Sequence, residues 1–356
     1  MRKFWSFIFM TACLTCFGLA VSIPSAFSQT PATTPIKLNY SVFFPAPHIH
    51  SVLAQEWGKE LEKRTNGRVK VDVFPGGTLT PADKCYDGVE KGLSDIGMSA
   101  FAYTSGKFPL TEVIDLPLGI KNGLTATRLA NDFYKKFQPQ ELSGVKMMFL
   151  HAHGPGLLHS KTPVNRIEDL KGMKVRCTGL AKKIVTALGG TPVGMSMGET
   201  YDALSRGVVD ASMAPQESLN TWKWGEVVKY TTEDFGASYS TGMFVVMNKE
   251  KWNSLPADIQ KIIEKLNEEW IEKSGKGWDE IDKIGRDATL KLGNKIIPLS
   301  KQENERWAKA VEPLLNDYVA NMKTKGLPGD QALKFCQDRL KTLQQEPSKK
   351  LQKKSK

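Results

Sequence analysis

The chain has 356 residues, 40% hydrophobic and 24% charged, an ordinary globular composition long enough for two cores. Its net charge is +11, but Arg2 and Lys3 belong to a leader and Lys341, Lys349, Lys350, Lys353, Lys354 and Lys356 to a C-terminal tail, opposed there only by Glu346. That leaves about +4 on the body and no basic-aromatic patch, which argues against a nucleic-acid partner.

Residues 1–28 read as a secretory signal peptide: Arg2 and Lys3, an apolar run from Phe4 to Val21, and Ala26-Phe27-Ser28 before a cut at Gln29. A lipid anchor at Cys13 or Cys16 fits poorly, because the apolar run before either is too short. No later segment approaches eighteen uninterrupted apolar residues, so an exported, soluble periplasmic chain is expected. The cysteines left, Cys85, Cys177 and Cys336, are an odd count and imply no disulfide framework.

Ile36, Leu38, Tyr40 and Val42 alternate with polar residues, which predicts a strand with one buried face. Pro45 and Pro47 end it; a helical pattern follows to Arg64, then the turn Thr65-Asn66-Gly67 and a strand from Val69 to Phe74. Helix and strand alternate as far as about Val246, a βαβ rhythm that predicts mainly parallel sheets binding ligands beyond their carboxyl ends. Residues 86–100 and 201–215 match at an offset of 115: Tyr86/Tyr201, Asp87/Asp202, Gly92/Gly207, Asp95/Asp210 and Met98/Met213. Each copy reads as a helix end, a glycine stop and a strand. Two similar lobes follow, offering the loops Ser99–Tyr103 and Ala214–Glu217 to a common cleft.

Between the copies, Gly172-Met173-Lys174-Val175-Arg176-Cys177 places a fixed positive charge at a strand-to-helix corner, and a helical pattern runs from Leu180 to Leu188. A guanidinium there suits a carboxylate, whose two oxygens match its fork; a salt-bridged strand arginine is the plainer alternative. Tyr239 to Met247 reads as a strand returning to the first lobe. Pro256 and Asp258 then open a long helix with Ile259, Ile262, Ile263, Leu266 and Trp270 on one face, long enough to outspan one lobe. A last helical segment surrounds Trp307 to Tyr318, and 341–356 reads as a disordered lysine-rich tail.

Together these stretches resemble the periplasmic solute-binding proteins of tripartite ATP-independent periplasmic (TRAP) transporters, the DctP family. The resemblance rests on Arg64-Thr65-Asn66-Gly67-Arg68-Val69 with Phe74-Pro75-Gly76-Gly77, on Asp169 through Arg176, on Gly207-Val208-Val209-Asp210, and on Met247-Asn248-Lys249 through Pro256. It implies an α/β, type II-like two-lobed periplasmic binding protein with hinge strands and a lobe-spanning helix. Lobe I would comprise 36–153 plus about 248–275, lobe II 154–240, the spanning helix 256–292 and C-terminal helices 293–340. It also implies an organic anion gripped by Arg176, delivery to a small and a large membrane subunit, and neither cofactor nor catalysis.

Two departures bear on the ligand. Sugar-acid binders of the family often carry a second arginine where this chain has Gly154-Pro155-Gly156-Leu157-Leu158, and an Asn where it has Ala214. Around the inferred cleft stand Phe43, Phe44, His48, Phe101, Tyr103 and Thr178, with Met195, Met213, Pro215, Gln216 and Trp222. Such a lining suits one carboxylate on an aromatic or apolar body; the same aromatics could simply be core. The alternatives weighed are a C4-dicarboxylate or other organic-acid binder acting as a sensor, and a Cys–His hydrolase built on Cys177, around which no family signature appears. A zinc site on His48/His50 or His151/His153 has no acid or cysteine nearby in sequence to complete it.

Overall fold

The computed structural model describes residues 34–353, with side chains as far as Gln345. The segment read as a signal peptide lies outside the described residues. The first lobe opens with β1 (Ile36–Val42), whose Leu38, Tyr40 and Val42 are buried as the alternation requires. Then come α1 (Ile49–Arg64), β2 (Val69–Phe74), α2 (Cys85–Glu90), β3 (Ile96–Ala100), α3 (Gly123–Phe137) and β4 (Val145–Ala152). The second lobe contributes β5 (Leu157–Ser160), β6 (Lys174–Cys177), α4 (Ala181–Ala187), β7 (Thr191–Gly194) and α5 (Met197–Ser205). It continues with β8 (Ala211–Ala214), α6 (Ser218–Thr221) and β9 (Tyr230–Glu233). The chain returns through β10 (Gly242–Asn248), α7 (Lys249–Ser254), α8 (Ala257–Lys291), β11 (Lys295–Pro298), α9 (Lys301–Val311), α10 (Pro313–Thr324) and α11 (Gly329–Lys353).

One sheet has the order β2-β1-β3-β10-β4 and the other β11-β9-β5-β8-β6-β7. Both are mixed, with parallel pairs the more numerous and one reversed strand in each. β10 runs antiparallel to β3 and β4, and β5 antiparallel to β8 and β9. Each of these strands enters its sheet directly from the other lobe, without the crossover segment that parallel pairing needs. The two crossing segments are joined by a backbone bridge, where Gly156 N donates to Tyr239 O at 2.7 Å, and by Ser240 Oγ, which donates to His153 O at 2.6 Å. A Cβ at Gly156 would stand 2.3 Å from the Tyr239 ring, so glycine is required at this crossing.

The matched copies do the same work in each sheet. α2 and α5 stop at glycines with positive φ, Gly92 (+75°) and Gly207 (+74°), and lead into β3 and β8. The repeated aspartates then accept backbone N–H groups of the neighbouring strands: Asn39 N, midway along β1, donates to Asp95 Oδ2 and Lys174 N, at the start of β6, to Asp210 Oδ2, both at 2.8 Å. The loops beyond β3 and β8 face one another across the space between the sheets.

α8, about 50 Å long at 1.5 Å per residue, packs against α1, α3 and β4 on one side and α6 and β11 on the other. At Gly285 it lies so close to the second lobe that a Cβ would be 2.1 Å from Gln216 O. α9 rests on α4, and α11 rests on α3, so the C-terminal helices reach both sheets. Pro313 splits the segment around Trp307 to Tyr318 into two helices. Residues 341–345 correct the reading of a free tail: α11 continues through them, Leu343 is buried, and Gln344 Nε2 donates to Gly119 O at 2.9 Å. Its apolar face was too sparse beside the lysines to be recognised. Cys85, Cys177 and Cys336 are all buried and unpaired.

Candidate functional site

Arg176 sits near the end of β6, between β7 and β8, where the chain turns into α4. Gly172, at φ +79°, makes the turn that starts this strand. The side chain is 2% exposed and meets no acid within ion-pair distance. Nε and Nη2 both donate to Met195 O, at 3.1 and 2.9 Å, and Nη1 reaches Met213 O at 3.5 Å. The Trp224 ring lies 5.6 Å from the guanidinium. Of the five N–H groups of a guanidinium, three are thereby directed at carbonyls, and one on each Nη remains. These remaining donors, with the Tyr103 phenol beside them, are what Arg176 can offer a carboxylate.

Arg176 faces a cavity of about 30 Å³, room for a water or two, between the sheets. Phe43, Phe44, Ala100 and Tyr103 line it from the first sheet; Thr178, Met197, Ala214, Pro215 and Glu217 line it from the second. The crossing segments add His153, Tyr239 and Thr241, β10 adds Met243, and α8 adds Trp278. The walls meet: Met197 N donates to Tyr103 Oη at 3.4 Å, and His48 Nε2 lies 3.4 Å from Glu217 Oε2. Next to it, a 460 Å³ cleft bordered by Tyr103, Thr178, Gly179, Lys182 and Met195 opens outward.

Burial dominates the electrostatics. It pushes the Tyr103 phenol up, while neighbouring Arg176 pulls it back in part. The imidazoles of His151 and His153 are driven down to about 3 and about 4, and His50 well below its ordinary value, because each would carry charge where water is excluded. His48 caps α1, its Nδ1 accepting from His50 N at 3.1 Å, so its proton resides on Nε2 and points toward Glu217. His50 and His151 stack at 4.4 Å between centroids, and Trp278 Nε1 donates to His151 Nδ1 at 3.0 Å. These rings pack face to face. Among the described residues no group of three or more His, Cys, Asp or Glu converges as a metal would need. Asp282, on α8, accepts from Glu217 N at 2.9 Å, and burial raises its carboxyl to about 8.

Of the residues singled out from sequence, Arg176, Phe43, Tyr103, Thr178 and Pro215 surround this one cavity. Others stand elsewhere. Phe101 points into the core against Phe108 and Phe244, because the turn after β3 sends residue 101 inward and residue 103 outward. Met213 is a core side chain whose carbonyl, not its thioether, serves the site. Met195 likewise holds Arg176 through its carbonyl, and its side chain borders the outer cleft. Gln216 faces a separate 260 Å³ cavity beside Asp279 and Asp282. Trp222 stands beside Phe43, ring centroids 6.5 Å apart, and His48 sits behind Glu217.

Sequence reasoning missed His153, Tyr239, Thr241, Met243 and Trp278 as lining residues. Trp278 carried a helical-periodicity signal only, and nothing local tells that a helix face 100 residues downstream closes a cleft.

Two mixed sheets, two crossing segments and a cavity held between facing loops define the two-lobed fold of periplasmic binding proteins. Within that class, the chain belongs to the family described as bacterial extracellular solute-binding protein, family 7 (DctP), which matches residues 42–321. These are the solute-binding proteins of TRAP transporters. A TRAP solute-binding protein of Rhodoferax ferrireducens in complex with copurified benzoate is 26% identical, with a TM-score of 0.83 over 88% of this chain and 99% of its own. Another, from Bordetella bronchiseptica with bound (R)- and (S)-mandelate, is 28% identical, with a TM-score of 0.81 over 87% of this chain and 100% of its own. The C4-dicarboxylate-binding periplasmic protein DctP of Rhodobacter capsulatus is 26% identical over 315 residues, 86% of this chain and 91% of its own.

Proposed function

We propose that this chain captures an organic monocarboxylate with an aromatic or bulky apolar body in the periplasm and hands it to the membrane subunits of a TRAP transporter. The observation that carries the reading is a buried guanidinium with two N–H groups left over, facing a cavity otherwise walled mostly by rings and aliphatic groups. Arg176 is the only lysine or arginine lining it among the described residues. One fixed charge serves one carboxylate. A second carboxylate would lose hydration in an apolar wall, or meet the acid of Glu217, and either costs several kcal/mol. A ring there instead removes apolar area from water at about 25 cal/mol per Å². The benzoate and mandelate held by two relatives support this choice; the dicarboxylate named for a third is the competing one.

The small cavity fits a closed form, which a ring-bearing acid enters only after the lobes part. Ligand and closure then form one equilibrium, because a ligand that touches both walls favours the state in which they meet. Export through the segment 1–28 and delivery to two membrane subunits complete the proposal. No catalysis belongs to it: Cys177 is buried, and burial pushes its thiol up to about 11, the opposite of a nucleophile's need. A thermal-shift screen of mono- and dicarboxylates, with turnover followed in parallel, tests the reading. An aryl monocarboxylate at a hundredfold its Kd should add about 2.7 kcal/mol. Chemical conversion of the acid, or stabilisation by none of the acids, would defeat it.

A further inference from the structure

A carboxylate that enters the closed cavity upsets a balance of charge. Arg176 and Glu217 both line it, both are buried, and their formal charges cancel. Asp282, behind Glu217, adds no charge near neutrality, because burial raises its carboxyl to about 8. An incoming carboxylate therefore leaves one uncompensated negative charge where water is excluded, and one added proton restores the balance. His153 is placed to receive it. Its backbone O accepts from Ser240 Oγ at 2.6 Å, and its Nδ1 lies 2.6 Å from Gly154 O. A carbonyl only accepts, so Nδ1 carries the hydrogen, and the neutral ring presents a bare lone pair at Nε2. The ring is buried, lines the same cavity, and has no partner for Nε2 among the described residues. Tyr239 and Trp278 meet it edge to face, at 5.5 and 6.0 Å between centroids, and hold its direction. In a space with room for a water or two, a carboxylate on Arg176 comes up against that lone pair.

We infer, on the footing of the monocarboxylate reading, that His153 is a second contact for the solute's carboxylate: Nε2 takes up one proton from solvent as the acid binds and donates it to a carboxylate oxygen. Capture is thereby proton-linked, and affinity rises as pH falls. In the empty cavity burial drives the imidazole down to about 4, with the Arg176 charge adding to the effect and the bond to Gly154 opposing it. A bound carboxylate offsets the Arg176 charge and sets an opposite one beside the ring, and both changes raise the value. The titratable groups around His153 are Arg176, Glu217 and Tyr103 across the cavity, Tyr239 against the ring, His151 on β4 and Asp282 beside Gly154. Burial holds both tyrosines and His151 in their neutral forms. Glu217 is the other group able to take the proton, but its Oε2 already faces the His48 proton at 3.4 Å, whereas Nε2 of His153 is unpartnered.

The experiment is calorimetric titration of the purified chain with benzoate at about pH 6, in MES and in Bis-Tris. The heats of ionisation of these buffers differ, so the change in apparent heat counts the protons taken up. Benzoate is already ionised at that pH, as carboxylic acids are. At least about half a proton should enter per benzoate bound, and Kd should fall about threefold or more per unit of falling pH between about 7 and 5.5. His153→Asn, whose amide keeps the bond to Gly154 O and does not titrate, should bring the uptake close to zero and flatten the pH profile. The wild-type proton count decides alone if that variant fails to fold. No uptake in the wild type, or uptake unchanged in folded His153→Asn, which would put the proton on Glu217, would overturn the inference while leaving the monocarboxylate reading in place. Failure of benzoate and other aryl monocarboxylates to bind at all would bring down both.

Discussion

Removing the Arg176 side chain should abolish useful binding while leaving the fold in place. The guanidinium is buried and already positioned by two carbonyls, so little order remains to be imposed when a carboxylate arrives. Its two remaining N–H groups offer charge-assisted contacts, and truncation leaves the ligand's charge buried without a partner. A loss of about 3 kcal/mol or more follows, roughly a hundredfold or greater weakening. The fold should survive, since Met213 O still accepts from Tyr239 Oη and only Met195 O loses its donors. Arg176→Lys should recover part of the affinity, because an ammonium restores charge without the planar fork. Calorimetry on both variants beside the wild type, with circular dichroism to verify folding, makes the comparison. Near-native affinity in a folded Arg176→Ala protein would refute the reasoning.

Three further outcomes are expected. Gly285→Ala forces a methyl against Gln216 O and should cost about 1–3 kcal/mol in denaturant unfolding while weakening ligand binding through the displaced Glu217 loop; an unchanged midpoint would remove α8 as the brace of that loop. Truncation after Leu340 takes away buried Leu343, worth about 1.5–3 kcal/mol, and should lower Tm; an unchanged Tm would contradict the docking of this stretch of α11. His159, wedged between Thr231 Oγ1 and Ala214 O, is held by burial at about 4, below its ordinary 6.5. A lowered histidine value means that the unfolded chain takes up the proton first, so its contribution is intact above pH 6.5 and declines toward pH 4. Relative to His159→Gln, wild-type stability should therefore fall across that window by up to about 1.4 kcal/mol per pH unit; a constant difference would contradict it.

Much of the scaffold was legible because it is written in local patterns. The alternation of Leu38, Tyr40 and Val42, the stop at Gly67 and the apolar stripe from Ile259 to Trp270 each prescribe an element by themselves. The internal match was more informative than any motif: the paired Gly92/Gly207 and Asp95/Asp210 do identical jobs, and the loops beyond them bring Tyr103 and Pro215 to one cavity. What stayed hidden depends on the third dimension. Strand direction at β5 and β10 follows from chain crossings that no periodicity records. Phe101 and Tyr103, two residues apart, could not be sorted into core and site without knowing the turn between them. Trp278 and Tyr239 reach the cavity from segments that read as ordinary helix and strand.

The central claim is that one carboxylate and one apolar body, not two carboxylates, fit between Arg176 and the rings around it. Calorimetry of the wild-type chain against phenylacetate, succinate and a sugar acid under one buffer tests it most directly. The account predicts that phenylacetate binds tightest, with the negative heat-capacity change of apolar burial, and that succinate and the sugar acid bind more weakly by tenfold or more. Succinate binding tightest would contradict it.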